Sequence, residues 1–199
     1  MIFLIYTSYS EPHRHYHTLA HPARMFQIAR ECSLALSWSE VLAIWFHDII
    51  YNIPRDSNVS NEELSANMAE VHLEADEYPT EIINLTCNMI RDTEEELPER
   101  EERSDTIIDL DLWDLSSYHY WINRALIRKE YGHLSDEEWR EGRIEWLKKM
   151  LARKTIYVSS HSSLDMEQQA QYNMKSELNH LQTGDHHVQS INSAEGTNI

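Results

Sequence analysis

The sharpest chemical feature of this 199-residue chain is the pair His47-Asp48, which closes its most apolar stretch, Val41-Leu42-Ala43-Ile44-Trp45-Phe46. A carboxylate at the end of a buried helix carries a large desolvation cost unless something positive compensates it. Imidazole beside carboxylate is also a natural ligand pair for a divalent metal. The plain alternative is a helix cap with local hydrogen bonds. A second feature is the segment Glu11-Pro12-His13-Arg14-His15-Tyr16-His17-Thr18-Leu19-Ala20-His21. His17 and His21 stand four apart, so on a helix they share one face and can aim at one ion. His13 lies one turn earlier on that stripe, and His15 points elsewhere. The alternative is a His-rich surface turn. The third feature is Asp109-Leu110-Asp111, set among Ile107, Ile108 and Leu112. Asp111 then sits in a buried-looking segment where an unpaired carboxylate is costly; the alternative is a helix-start or surface role. Asp114 reads as a surface residue.

Helices have to position these groups. Pro12 suits a first helical turn, and Leu19, Ala23, Phe26 and Ala29-Arg30 continue a helical period to about Leu36. Ser37-Trp38-Ser39-Glu40 is a capping-box pattern opening the apolar helix, which is expected to be buried because it is apolar all round. Ser60-Asn61-Glu62-Glu63 is a second such pattern, for a helix to about Ala75, and Ser135-Asp136-Glu137-Glu138 a third, for a helix through Leu151. Pro79 opens a helix through Ile90, and Ser104 caps a short one containing Ile107 to Leu112. Tyr118 to Tyr131 and Asp165 to Leu181 complete the set. Glu94 to Arg103 reads as a solvated charged loop. With no convincing strand and no internal repeat, the expectation is an all-α domain over residues 1–182, followed by a polar, disordered tail over 183–199.

Composition narrows the functions. There are 34 acidic residues against 17 Lys plus Arg, a formal charge of −17. Such a surface repels phosphate backbones and excludes a nucleic-acid-coating role, though not a small phosphorylated substrate in a local positive pocket. Four glycines and five prolines disfavour a turn-rich all-β fold. Cys32 and Cys87 form no disulfide framework, which fits a reducing, cytoplasmic location. The apolar run Met1 to Tyr6 is too short for a membrane span or signal core, so no membrane partner is expected.

His, His-Asp and Asp on three separate helices resemble the HD superfamily of metal-dependent phosphohydrolases, whose defining pattern is H…HD…D. More narrowly, the segments "YSEPHRHYHTLAH", "WFHDIIYN", "NEELSA", "DLDLWDL", "IRKEYGHL", "GRIEWLKKMLARKTIY" and "QYNMKSEL" are similar to those of a group of small predicted HD phosphohydrolases, over roughly Tyr9 to Leu181. The resemblance implies a single HD-domain-like helical bundle. It also implies a metal site of His47, Asp48, a distal Asp at Asp111 with Asp109 as fallback, and a first His. The run His21-Pro22-Ala23-Arg24-Met25, followed by Ile28-Ala29, favours His21 as that first His. His17 is then a substrate contact or second-metal ligand, and the reverse assignment stays open. Two departures stand out. Glu96 occupies a place where relatives often have His. Relatives also usually carry further helical sequence before "YSEPHRHYH", so one flank of the core is expected to be thinner or covered by a partner subunit, as in a homo-oligomer.

Two His and two Asp suit Mn, Fe, Co, Ni or Zn; magnesium fits less well because it prefers oxygen ligands. Such an ion lowers the pKa of a bound water and polarises a phosphoryl group. The expected activity is therefore hydrolysis of a small phosphorylated substrate, with nucleotides among the candidates. Asp48 both binds metal and orients water. Glu62, on the small face of its helix with Ser65 and Ala66, is a second candidate base, unless it only complements the helix dipole. Arg14 is the best candidate phosphate clamp. His13, Tyr51 and Arg128 are further candidate substrate contacts; Arg143 and Arg153 lie on the helix after Arg128. Cations near helix ends can equally serve the dipole. The six tryptophans read as core or interface residues. Two other readings are an HD-fold di-iron oxygenase, for which only His72 offers a further ligand between the HD pair and Asp111, and a non-catalytic metal- or nucleotide-binding helical module.

Overall fold

Serine side chains cap some of the helices, and two of them do so reciprocally. Ser37 Oγ accepts the Glu40 N–H at 3.3 Å while Glu40 takes the Ser37 N–H at 2.7 Å. Ser135 and Glu138 repeat the exchange at 3.2 and 2.8 Å. The third pattern is only half realised. Ser60 Oγ accepts the Glu63 N–H at 3.1 Å, but Glu63 turns to Arg91 at 2.6 Å and the Ser60 hydroxyl goes to Glu94 at 2.9 Å.

The computed structural model describes residues 1–54, 58–94 and 104–183. In chain order the helices are α1 (Ile2–Ser8), α2 (Ala20–Glu31), α3 (Trp38–Phe46), α4 (Asn61–Ala75), α5 (Thr80–Asp92), α6 (Asp105–Leu112), α7 (Tyr120–Glu130), α8 (Asp136–Leu151) and α9 (Leu164–Thr183). A 3-10 turn, Trp113–Ser116, follows α6. Among the described residues there is no strand, so the fold is all-α as expected. Glu96, most of the charged loop and all but the first residue of the expected tail lie outside the described residues. No described helix is long and apolar enough to cross a membrane.

Four details differ from the expectations. The apolar N-terminal run forms α1, burying Ile5. The helix expected from Pro12 begins only at Ala20, because residues 13–17 are held in turns by long-range contacts described below. The same helix stops at Glu31 rather than near Leu36. Ser33 adopts φ 56, with Leu34 N–H donating to Ala29 O at 2.8 Å and Ser33 N–H to Arg30 O at 3.0 Å, a Schellman ending made without glycine. Glu77, at φ 58, ends α4 in the same way. α3 is less uniformly buried than its composition suggests: Leu42, Ala43, Ile44 and Phe46 are buried, while Trp38 is exposed.

Apolar side chains gather in two clusters. The first joins α1 to α6 through residues such as Tyr9, Met25, Ile44, Phe46, Leu73, Ile90 and Leu110. The second joins α7, α8 and α9 through Tyr120, Leu147, Met150, Ala170 and Met174, with Ile156 and Tyr157 from the connecting segment.

Candidate metal centre

His47 is the C-cap of α3, and Asp48 follows it directly. The His47 Nδ1–H donates to Ile44 O at 2.9 Å, one turn back. That bond fixes the neutral tautomer whose lone pair is on Nε2, the arrangement found around metal-ligating histidines. His21 comes from the first turn of α2 and Asp111 from the last turn of α6. His21 Nε2 lies 3.1 Å from His47 Nε2, 2.9 Å from Asp111 Oδ1 and 3.7 Å from Asp48 Oδ2. His47 Nε2 lies 3.1 Å from Asp48 Oδ2 and 3.7 Å from Asp111 Oδ1. One donor atom from each of the four residues falls within 4.8 Å of all the others.

Metal–ligand bonds of about 2.1 Å place neighbouring donors about 3.0 Å apart in an octahedral shell and about 3.4 Å apart in a tetrahedral one. The observed spacings bracket both values. Two ring nitrogens so close cannot both present lone pairs unless a cation or a proton sits between them. Two carboxylates balance a divalent ion, and the mixed nitrogen and oxygen donors suit a borderline metal. The residues therefore fit a divalent cation. In its absence a proton takes that place. Burial alone would lower the His47 imidazole, but the charge and hydrogen bond of Asp48, with Asp111, push it up to about 9. Burial works against ionised Asp48 as well, yet His47 and His17 hold its carboxyl far below the usual range.

A cavity of about 540 Å³ opens at this cluster, lined by Asp48, Asp111, Glu62, His17 and Tyr51 among others. α8 contributes Trp139, Arg143 and Trp146 to the same lining. His17 is not one of the four clustered residues. It precedes α2 instead of sharing its face, and its Nδ1–H donates to Glu130 Oε2 at 2.8 Å. Its ring packs on Tyr51 with centroids 4.0 Å apart. Burial disfavours the imidazolium, but Asp48 and the Glu130 bond outweigh it and raise the pKa. Asp109, the fallback for the distal Asp, points away: it accepts the N–H groups of Val158 and Ser159 at 2.8 and 2.9 Å.

Arg14, the expected phosphate clamp, does not line the cavity. Arg14 is buried, and its guanidinium donates to Glu11 at 2.9 Å and to the carbonyls of His17, Asp48 and Ile49 at 3.2, 2.6 and 3.1 Å. It thereby ties the backbone at His17 to the backbone at Asp48 and Ile49, where the HD pair ends. Arg14→Lys is expected to lose about 2–3 kcal/mol of stability through the missing fork geometry, read as a lowered urea midpoint. Unchanged stability with a raised KM would restore the clamp role. His13 donates to Tyr51 O at 2.8 Å and Arg128 to Tyr131 O and Leu134 O at 2.9 and 3.1 Å, so both brace loops, and neither lines the cavity. Asp114, expected at the surface, is buried against Tyr16 Oη at 3.0 Å and Arg24 at 3.3 Å.

The residue that sequence reasoning missed is Glu130. Its Oε1 accepts the N–H groups of His15, Tyr16 and His17 at 2.7, 2.7 and 2.9 Å, and its Oε2 serves His17 and the Tyr51 hydroxyl. One signal was available: an acidic side chain at a helix C-terminus opposes the dipole and calls for a reason. No protein-family model matches the chain, and no curated protein or solved structure is found to match it.

Proposed function

We propose that the protein is a divalent-metal-dependent phosphohydrolase of the HD type, acting on a small phosphorylated substrate. The observation that carries this reading is the convergence of His21, His47, Asp48 and Asp111 from three separate helices beside an open cavity. A divalent ion, when bound, supplies an acidified water and Lewis-acid polarisation of a phosphoryl oxygen. Asp48 and Asp111 line the cavity and orient what enters it. Glu62, half-buried on the same wall, is the base that accepts the proton of the attacking water. His17 is a substrate contact: its Nδ1–H is anchored on Glu130, so its second nitrogen is the one available to a phosphoryl or leaving-group oxygen. Tyr51 packs that ring in place.

The test is to load purified full-length protein with Mn, Co, Ni, Fe, Zn or Mg and supply p-nitrophenyl phosphate, bis-p-nitrophenyl phosphate and a nucleotide set. Release of phosphate or p-nitrophenol that requires the metal is expected. Oxygen uptake by the iron-loaded protein would overturn the reading in favour of an oxygenase. Metal-dependent thermal stabilisation without turnover on any substrate would overturn it in favour of a non-catalytic binder.

A further inference from the structure

Arg143 is buried in α8 and is the one Lys or Arg among the described residues that line the cavity. Its Nε and Nη2 donate to the two oxygens of Glu177 at 3.1 and 3.0 Å, and its guanidinium lies 4.1 Å from the centre of the Trp146 ring. The Glu177 pair leaves the third nitrogen, Nη1, outside it. Glu177 is itself fully buried and also accepts Arg124 Nε and the Tyr120 hydroxyl. Arg124 reaches solvent, so the guanidinium that Glu177 holds in the protein interior is that of Arg143, and its remaining edge borders the cavity. Trp139, Trp146 and Tyr131 line the cavity with flat apolar surface.

We infer that Arg143 determines specificity: resting on the phosphohydrolase reading, it selects substrates whose leaving group is planar and carries an oxygen acceptor, a carboxylate or carbonyl. The flat rings receive the planar group and the guanidinium receives its oxygen. Glu177 holds that guanidinium against Trp146, so its direction is set before a ligand arrives.

The experiment titrates the full-length protein calorimetrically, in EDTA, with benzoate, benzamide and benzylamine, three single-ring probes of similar size. Benzoate and benzamide are expected to bind about tenfold or more tightly than benzylamine, and Arg143→Met is expected to erase that order. Equal affinities, a preference for benzylamine, or no binding of any probe overturns the inference, as does an order that survives Arg143→Met. If Arg143→Met does not fold, the order of affinities in the unsubstituted protein decides. Neither metal nor turnover enters this measurement. A failure of phosphate release and a failure of acceptor selection are therefore separate results.

Discussion

Asp48→Asn is expected to abolish both metal retention and metal-dependent phosphate release. The substitution preserves shape and removes one of the two charges that balance a divalent ion at the cluster. In the unsubstituted protein, Mn bound at this cluster and supplied at about a thousand times its Kd is expected to stabilise the fold by about 4 kcal/mol. For a domain of this size that is a rise of about 8–16 °C in Tm. The variant should show almost none of it, and turnover should fall about a thousandfold or more. Differential scanning fluorimetry with and without Mn, combined with elemental analysis, reads the first effect separately from activity. A variant that kept the full thermal shift would show that the ion, if bound, sits elsewhere.

Glu130→Gln is expected to cost about 3 kcal/mol of folding stability. The carboxylate uses both oxygens, one on three backbone N–H groups and the other on His17 and Tyr51, whereas an amide offers a single acceptor oxygen. Burial would raise the Glu130 carboxyl, but the bond and charge of His17 and the backbone donors pull it from the ordinary 4.5 down to about 2. A shift of that size corresponds to about 3 kcal/mol. Because the folded value is depressed, this stabilisation is complete above about 4.5 and is lost as pH falls toward about 2. His17 has the opposite sign. Its pKa is raised above the ordinary 6.5, so its share is complete below that value and fades as pH climbs through the raised one. The stability gap between the two proteins should therefore be widest between about 4.5 and 6.5. Urea denaturation across pH measures it, and a gap that does not vary with pH would contradict the assignment.

Features encoded over short stretches of chain could be read without the structure. Ser37 with Glu40 and Ser135 with Glu138 start their helices as their spacing implies, because both partners of each box lie within one turn. His47-Asp48 was conspicuous because a polar pair closing an apolar helix needs compensation. Asp111 was conspicuous for the same reason, and the structure brings both to His21. What could not be read depends on contacts between distant parts of the chain. The His segment carries a helical period, yet the Glu130 carboxylate, more than a hundred residues away, takes three of its N–H groups and holds it in turns. Arg14 has the right side chain to hold phosphate, but backbone carbonyls reach it first. Ser33 and Glu77 end helices in a conformation that sequence patterns assign to glycine, so the first of those ends was overrun. Arg143 was one cation among several until Glu177, on a helix still to come, fixed its fork.

The four clustered side chains all grow from α2, α6 and the end of α3, which pack in the first apolar cluster, whereas Trp139, Arg143 and Trp146 belong to α8, whose apolar face packs in the second. On the proposed function, the ion and part of the substrate would thus be held by side chains rooted in different apolar clusters of one chain. Substitutions in α8 would then alter which compound is held while leaving the four clustered side chains in place.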